Sequence, residues 1–285
     1  MSSILLHTQL PHFLAVALYA ALAMHCWRSR WRGAMLDQPV KGMARWERFA
    51  LLAALLFHGI ALVQAIFPPA PHGGHVIAFG FAVALSVIMW QAVALYWIES
   101  YYARMEGLLV LGLPLAALCV LLPLAFPGKH LLANIGSATF RIHFLMAMLA
   151  YSLFTLAALH AILMAITEQR LHRGRLTPFF AGLPPLLTME ALLFRLIHIA
   201  FALLTLTLLS GALFSEHLFG KALTLSHKTV FAVLSWLIFA ALLVGRHRYG
   251  WRGRMALRWT LAGFGVLLLA YVGSRFVLEV LLGHP

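Results

Sequence analysis

Apolar runs of nearly uniform length alternate with short polar breaks along the whole chain. The runs lie near Leu6 to Trp27, Phe49 to Phe67, His75 to Trp97, Leu108 to Phe126, Ile142 to Ile166, Leu196 to Phe214, Thr229 to Gly245 and Trp259 to Leu282. A helix needs about 20 mostly apolar residues to cross a hydrocarbon core of about 30 Å, so each run is predicted to be a transmembrane helix. Turn-forming residues mark the breaks: Pro68, Pro69 and Pro71, then Pro127-Gly128, then a longer connection from Thr167 to Arg195 containing "LPPLL". There is no internal repeat, low-complexity tract or shift in composition to divide the chain. The pattern predicts one all-α, polytopic membrane helix bundle of about eight transmembrane helices over residues 1–285.

Composition removes the soluble alternative. Hydrophobic residues make up 63% of the chain, charged residues only 10%, and the mean hydropathy is +0.92, outside the range of a soluble globular domain. The net charge of +13 would by itself fit a nucleic-acid partner, but the basic residues flank spans and form no single stripe. Sixteen of the 21 fall in alternate connections: Arg28, Arg30, Arg32, Lys41, Arg45, Arg48, Arg104, Arg170, Arg173, Arg175, Arg195, Arg246, Arg248, Arg252, Arg254 and Arg258. Lys129, Arg141, Lys221, Lys228 and Arg275 fall on the other side. Retained cytoplasmic loops carry such an excess. The expected orientation therefore puts both termini outside the cytoplasm, and the charge is a topology signal and an attraction to anionic lipid of the bilayer. No nucleic-acid partner is expected. The amino-terminal run lacks a preceding basic residue and a small-residue cleavage pattern, so it is read as a retained first helix. Cys26 and Cys119 lie in separate apolar runs, with no CxxC motif.

Histidine is the chemical signal, with fifteen in the chain. His7, His12, His72, His75, His130, His143, His217, His227 and His284 fall on the outer side or at outer helix ends, and His25, His160, His172 and His247 on the inner side. His58 and His198 lie deeper in spans. An imidazole in hydrocarbon must be neutral and partnered or hold a metal; its structural alternative is an interhelical hydrogen bond. In "FRIHFLMAMLAYS" His143 opens an outer helix mouth, a position suited to an axial ligand. His227 lies in the same outer layer beside Lys228. His58, in "ALLFHGIALVQ", has no nearby acid and is open to either reading. His25, His160 and His198 read as packing or interface residues. His72 and His75 in "PHGGH" would clip a metal only with further ligands. In "YVGSRFVLEVLL" Arg275 and Glu279 stand four apart and are expected either to pair on one helix face or to leave Arg275 turned inward toward an anionic carboxylate.

From Ile142 onward, "IHFLMAMLAYSLFTLAALHAI", "LPPLLTMEALLFRLIHIAFALLTLTLLSGALF", "SHKTVFAVLSWLIFAALLVGRHRYGWRGR" and "AYVGSRF" resemble, in order and spacing, the cytochrome c assembly protein superfamily. The likeness is strongest over 142–283 and to its YpjD-type inner-membrane branch, with HemX-like and CcsA-like proteins as wider relatives. "FHGIAL" around His58 is similar to an early histidine-bearing span. The resemblance implies a bacterial inner-membrane protein that binds or handles haem for cytochrome c assembly at the extracytoplasmic face, alongside other membrane assembly proteins. By position it puts His143 at the histidine that opens the outer helix mouth in haem-handling members; His284 lies near their second outer histidine. The chain departs from them where they carry a Trp-rich segment ending in Asp-Pro-Lys. Here "SEHLFGKALTLSHKT" contains no tryptophan.

Two axial imidazoles on one iron need ligating nitrogens roughly 4 Å apart, given metal–nitrogen bonds near ~2.0 Å, together with an apolar slot and a partner for the propionates. The expected outer site is His143 with His227 as metal ligands and Arg275 as anion partner, with His58 as an inner or transit position. Competing readings are a permease component or small-molecule transporter, an assembly partner that binds no haem, and a b-type electron-transfer subunit. The last would want histidine pairs on facing spans, whereas His143 and His160 lie about 25 Å apart along one helix. No hydrolytic or transferase motif is present, and no enzymatic activity is expected.

Overall fold

The computed structural model describes residues 2–32, 42–68, 78–102, 107–127, 137–173, 183–214 and 226–283. Every predicted span is a helix, and no strand occurs among the described residues. The helices are α1 (Ser2–Cys26, continued by a π-helical segment Trp27–Arg32), α2 (Arg45–Ile66), α3 (Phe81–Glu99), α4 (Gly107–Ala125), α5 (Ala138–His172), α6 (Leu186–Leu213), α7 (His227–Tyr249) and α8 (Gly253–Leu281). Among the described residues, eight helices are long and apolar enough to cross a membrane. His7, His72, His75, His130, His217 and His284 lie outside the residues whose side chains are described.

The connection expected from Thr167 to Arg195 is the one to correct. Helix α5 continues to His172 and α6 already begins at Leu186, leaving a much shorter link. The proline pair read as loop is instead the start of α6. Pro185 is its N-cap residue, and its carbonyl accepts the amides of Thr188 and Met189. Proline suits a helix entrance because it has no amide to satisfy there and a pre-set φ. Met189, Glu190, Leu193 and Phe194 then bury one face of the extra turns.

Contacts sort the helix ends into two layers. At one end His25 of α1 meets Glu47 of α2, Arg48 of α2 donates to the Ser100 carbonyl after α3, Arg254 of α8 meets Glu168 of α5, and Arg246 of α7 meets Glu190 of α6. At the other, Phe81 of α3 packs on Phe126 after α4 and Phe276 of α8, while His143 of α5 reaches Ser210 of α6. Each helix thus runs antiparallel to the next in sequence, and the first layer is the arginine-rich one. The start of α1 and the end of α8 share the arginine-poor layer.

Helix α5 is the axis: 78% of its apolar window is buried, against 22% for α7, and it packs on α3, α4, α6 and α8. Six hydroxyl residues inside the spans are satisfied within their own helix. Ser152, Thr155, Thr167, Thr205, Thr207 and Thr260 each donate a hydroxyl to the carbonyl four residues earlier, the usual way such residues are tolerated in apolar helices. Gly263 allows α7 and α8 to approach: a Cβ there would lie 2.8 Å from the Phe239 ring, which stacks on Phe154 of α5. Gly250, at φ 66°, ends α7 in the left-handed conformation that glycine adopts without strain.

Helix α8 is irregular toward its end. Two π-helical stretches, Leu269–Gly273 and Val277–Leu281, flank Ser274–Phe276. The Tyr151 hydroxyl of α5 donates to the Leu267 carbonyl just before the first stretch. Such i→i+5 turns recur at functional sites, and here they set the direction of Arg275 and Glu279.

Candidate functional site

The arginine-poor layer is built from the first turns of α3, α5 and α7 and the last turns of α6 and α8. His143, in the second turn of α5, is half-buried and its Nδ1 lies 2.8 Å from Ser210 Oγ of α6. Ser210 also donates to the Thr207 carbonyl at 3.0 Å. The ring edge rests against Gly211, where an added Cβ would sit 3.5 Å from His143 Cε1. A ring of aromatic side chains continues from the adjacent residue. Phe144 packs on Phe79 at 4.9 Å between centroids and on Phe140 at 6.1 Å, and Phe79 lies 6.3 Å from Tyr271 of α8.

Beside Tyr271 lies a group of charges. Arg275 is 9% exposed and its Nε has no hydrogen-bond partner, nor has Glu279 Oε1; the Tyr271 hydroxyl faces the Arg275 guanidinium. Lys228 of α7 holds its Nζ 6.0 Å from the Tyr271 ring centroid, within electrostatic range of Arg275 and Glu279. Arg275 and Glu279 form no ion pair. The four-residue spacing pairs side chains only on a regular α-helix, and the π-helical stretch from Val277 rotates Glu279 away. Glu279 instead accepts the Phe81 amide through Oε2 at 3.2 Å, and so satisfies one orphan donor at the start of α3. Gly80 leaves room for this, because a Cβ there would lie 2.6 Å from Glu279 Oε2.

Sequence reasoning named His143, His227, Arg275 and His58. The structure brings His143 and Arg275 into one layer, linked through Phe144, Phe79 and Tyr271. His227 is the first residue of α7 and is exposed; its neighbour Lys228 belongs to the charged group. His58 is in the other half of the bundle, fully buried. Its Nδ1 is 3.2 Å from the Tyr19 hydroxyl and its Nε2 is 2.9 Å from Ser86 Oγ, so it ties α1, α2 and α3 together. Sequence reasoning did not single out Ser210, Tyr271 or Lys228 as site residues. For Ser210 a signal existed: it precedes the end of α6 by three residues, level with His143 near the start of the antiparallel α5.

The arrangement offers a nitrogen ligand from α5, a buried guanidinium and an ammonium from α8 and α7, and an aromatic wall between them. That set fits a flat apolar ligand bearing carboxylates. Haem meets that description, and the unsatisfied, buried Arg275 Nε is the kind of donor a propionate would occupy. Among the described residues no group of three or more His, Cys, Asp or Glu side chains gathers to hold a bare metal ion.

Comparison with known proteins gives the family. The sequence profile of the family described as "Cytochrome C assembly protein" matches residues 15–282. The inner membrane protein YpjD of Escherichia coli K12 is 28% identical over 241 residues, 83% of this chain and 89% of that protein. A 28.8 kDa protein of Azospirillum brasilense is 34% identical over 142 residues, 50% of this chain and 52% of that one. The cytochrome c biogenesis protein CcsA of a Synechococcus strain is 36% identical over 84 residues, 30% of this chain and 24% of that protein. No solved structure matches the chain. The family match extends well upstream of the second-half motifs and takes in the spans around Tyr19 and His58. With eight apolar spans and a profile match over nearly its whole length, the chain belongs to the cytochrome c assembly protein family, as a multi-pass inner-membrane protein.

Proposed function

We propose that this protein holds haem at the arginine-poor end of its bundle during cytochrome c assembly, with His143 as an axial ligand and Arg275 as partner of a propionate. The carrying observation is Arg275: a guanidinium buried in a membrane bundle, its Nε unsatisfied and the Tyr271 hydroxyl beside it. A buried, unpaired charge is costly; a carboxylate arriving with the ligand would remove that cost. Bound haem would supply an iron that accepts nitrogen ligands. The chain's part is to present the imidazole, neutralise the propionates and exclude water with Phe79, Phe140 and Phe144. His227, at the entrance of α7, is the second ligand in this reading. His58 serves as a transit position, taking the ligand only by exchanging Tyr19 or Ser86 for it.

The arginine excess at the opposite end makes that end cytoplasmic and the haem site extracytoplasmic, where cytochromes c are assembled. Partners in this reading are haem and other membrane proteins of the assembly machinery. The test is purification in mild detergent after expression with adequate haem, followed by absorbance spectra of the wild type and of His143→Ala. A Soret band in the wild type that is lost or shifted in the variant is expected. A haem-free wild type, or an unchanged variant spectrum, would overturn the assignment.

A further inference from the structure

The arginines of the hairpin between α7 and α8 fall into two kinds. Arg246 and Arg252 share Glu190, and Arg254 meets Glu168. Arg248 and Arg258 are exposed and have no hydrogen-bond or ion-pair partner among the described residues. Five guanidinium groups against two carboxylates leave this corner of the bundle positive. Arg248 also borders a surface hollow of about 430 Å³, lined by Leu243, Val244, His247, Arg248 and Tyr249. Residues four apart lie one above the other on a helix face, so the lining forms two columns, Leu243 with His247 and Val244 with Arg248. The members of each column are about 6 Å apart along the axis. Apolar surface thus gives way to guanidinium, imidazole and phenol within one turn.

The depth of these residues fits a lipid. Helix α7 has 23 residues, from His227 to Tyr249, and is about 34 Å long, against a hydrocarbon core of about 30 Å. Arg248 and Tyr249 therefore stand at headgroup level at one face of the bilayer when Lys228 does so at the other, and Leu243 and Val244 lie beside the acyl chains. Only 22% of the apolar window of α7 is buried, and Val244 is 55% and Tyr249 76% exposed, so bilayer lipid reaches the hollow directly. We propose that this hollow binds an anionic phospholipid of the phosphatidylglycerol class, with its phosphate on Arg248, the His247 ring N–H and the Tyr249 hydroxyl as further donors, and the head of an acyl chain against Leu243 and Val244. The guanidinium fork suits phosphate oxygens, and basic pockets beside transmembrane helices hold such headgroups. The surplus positive charge selects an anionic lipid over a zwitterionic one. The apolar lower half of the hollow selects a lipid over free phosphate.

The test is a lipid titration of the full-length protein in mild detergent, with bound molecules counted by native mass spectrometry. The probes are phosphatidylglycerol, phosphatidylcholine and inorganic phosphate. Phosphatidylglycerol is expected to fill one site at lower concentration than phosphatidylcholine; equal binding of the two overturns the proposal. Arg248→Gln is expected to weaken that site about fivefold, the factor for one basic residue near an anionic surface. Arg258→Gln removes the same charge from the same hairpin but lies outside the hollow, and is expected to leave the site unchanged. If both variants weaken binding equally, the attraction is diffuse and no site exists. Val244→Trp fills the apolar half of the hollow while keeping every charge, at a position exposed enough to accept the larger ring. It is expected to weaken phosphatidylglycerol at least as much as Arg248→Gln does, and unchanged binding would show that the hollow is not the seat. Inorganic phosphate at the same concentration is expected not to compete. If it displaces the lipid, the site takes a soluble anion and the lipid assignment fails.

Discussion

At the arginine-rich end of the bundle each described carboxylate meets a cation or an imidazole, whereas at the other end Arg275 and Glu279, four residues apart, do not pair. Glu190 is 6% exposed and takes Arg246 at 2.6 Å, Arg252 at 3.1 Å and the Gly253 amide at 3.3 Å. Glu168 takes Arg254 at 2.9 Å, Glu47 takes His25 at 3.0 Å and Glu99 lies 3.6 Å from the buried His160. Arg246 also lies over the Phe194 ring at 4.7 Å. This network joins α1 to α2, α3 to α5, α5 to α8, and α6 to both α7 and α8, so its charges act as structural clamps between helix ends. At the other end Arg275 Nε and Glu279 Oε1 are left unsatisfied, which costs about 1–3 kcal/mol for each such group. Unsatisfied buried atoms occur at the arginine-rich end too, at Arg48 Nε, Glu99 Oε2 and both His160 nitrogens, but there the carboxylates are shared between helices, whereas in the function proposed above the unpaired group around Arg275 is the ligand's.

The largest effect should come from breaking the clamp. Glu190→Ala leaves Arg246 and Arg252 without their carboxylate and should destabilise the protein by about 3 kcal/mol or more, read as a lower midpoint of thermal unfolding in detergent. An unfolding midpoint equal to that of the wild type would show that these charges do not clamp the helices. Arg275→Leu should behave in the opposite way. Removing an unpaired buried charge should leave the haem-free protein as stable as before or more so, while hemin binding weakens about tenfold, in line with the loss of a charge-assisted hydrogen bond of about 1.5 kcal/mol. If Arg275→Leu destabilises the haem-free protein as much as Glu190→Ala does, the two ends do not differ as argued. The smallest effect is expected for Gly80→Ala, whose Cβ would press on Glu279 Oε2. The carboxylate ends a flexible side chain and can swing aside, so stability should fall by no more than about 1 kcal/mol. The freed carboxylate would then compete for Arg275 and lower hemin affinity by a few-fold, measured by titration with hemin.

Much of the fold was legible from one-dimensional pattern. Span length and apolarity determined eight helices, the proline breaks separated them, and the placement of arginine sorted the connections into two layers, because crossing a hydrocarbon core demands a continuous apolar run and basic residues gather at the ends of such runs. His143 could be located as a residue at a helix mouth for the same reason. The proline pair before α6 was misread because proline marks a helix start as readily as a loop, and only the burial of Met189, Glu190, Leu193 and Phe194 decides between them.

Partnership was decided in three dimensions. Sequence alone left His58 open, since nothing near it in the chain could pair with it; its partners Tyr19 and Ser86 come from two other helices. Ser210 meets His143 across 67 residues of chain, and Glu279 meets Phe81 across 198. Apolarity states that a helix crosses the membrane but not how it is rotated about its axis, and the π-helical turns of α8 change that rotation midway along one helix. The sequence by itself determined the spans and which end of each carries charge. Which polar atoms face one another, and which are left without a partner, depended on helix rotation and so on the packing of all eight.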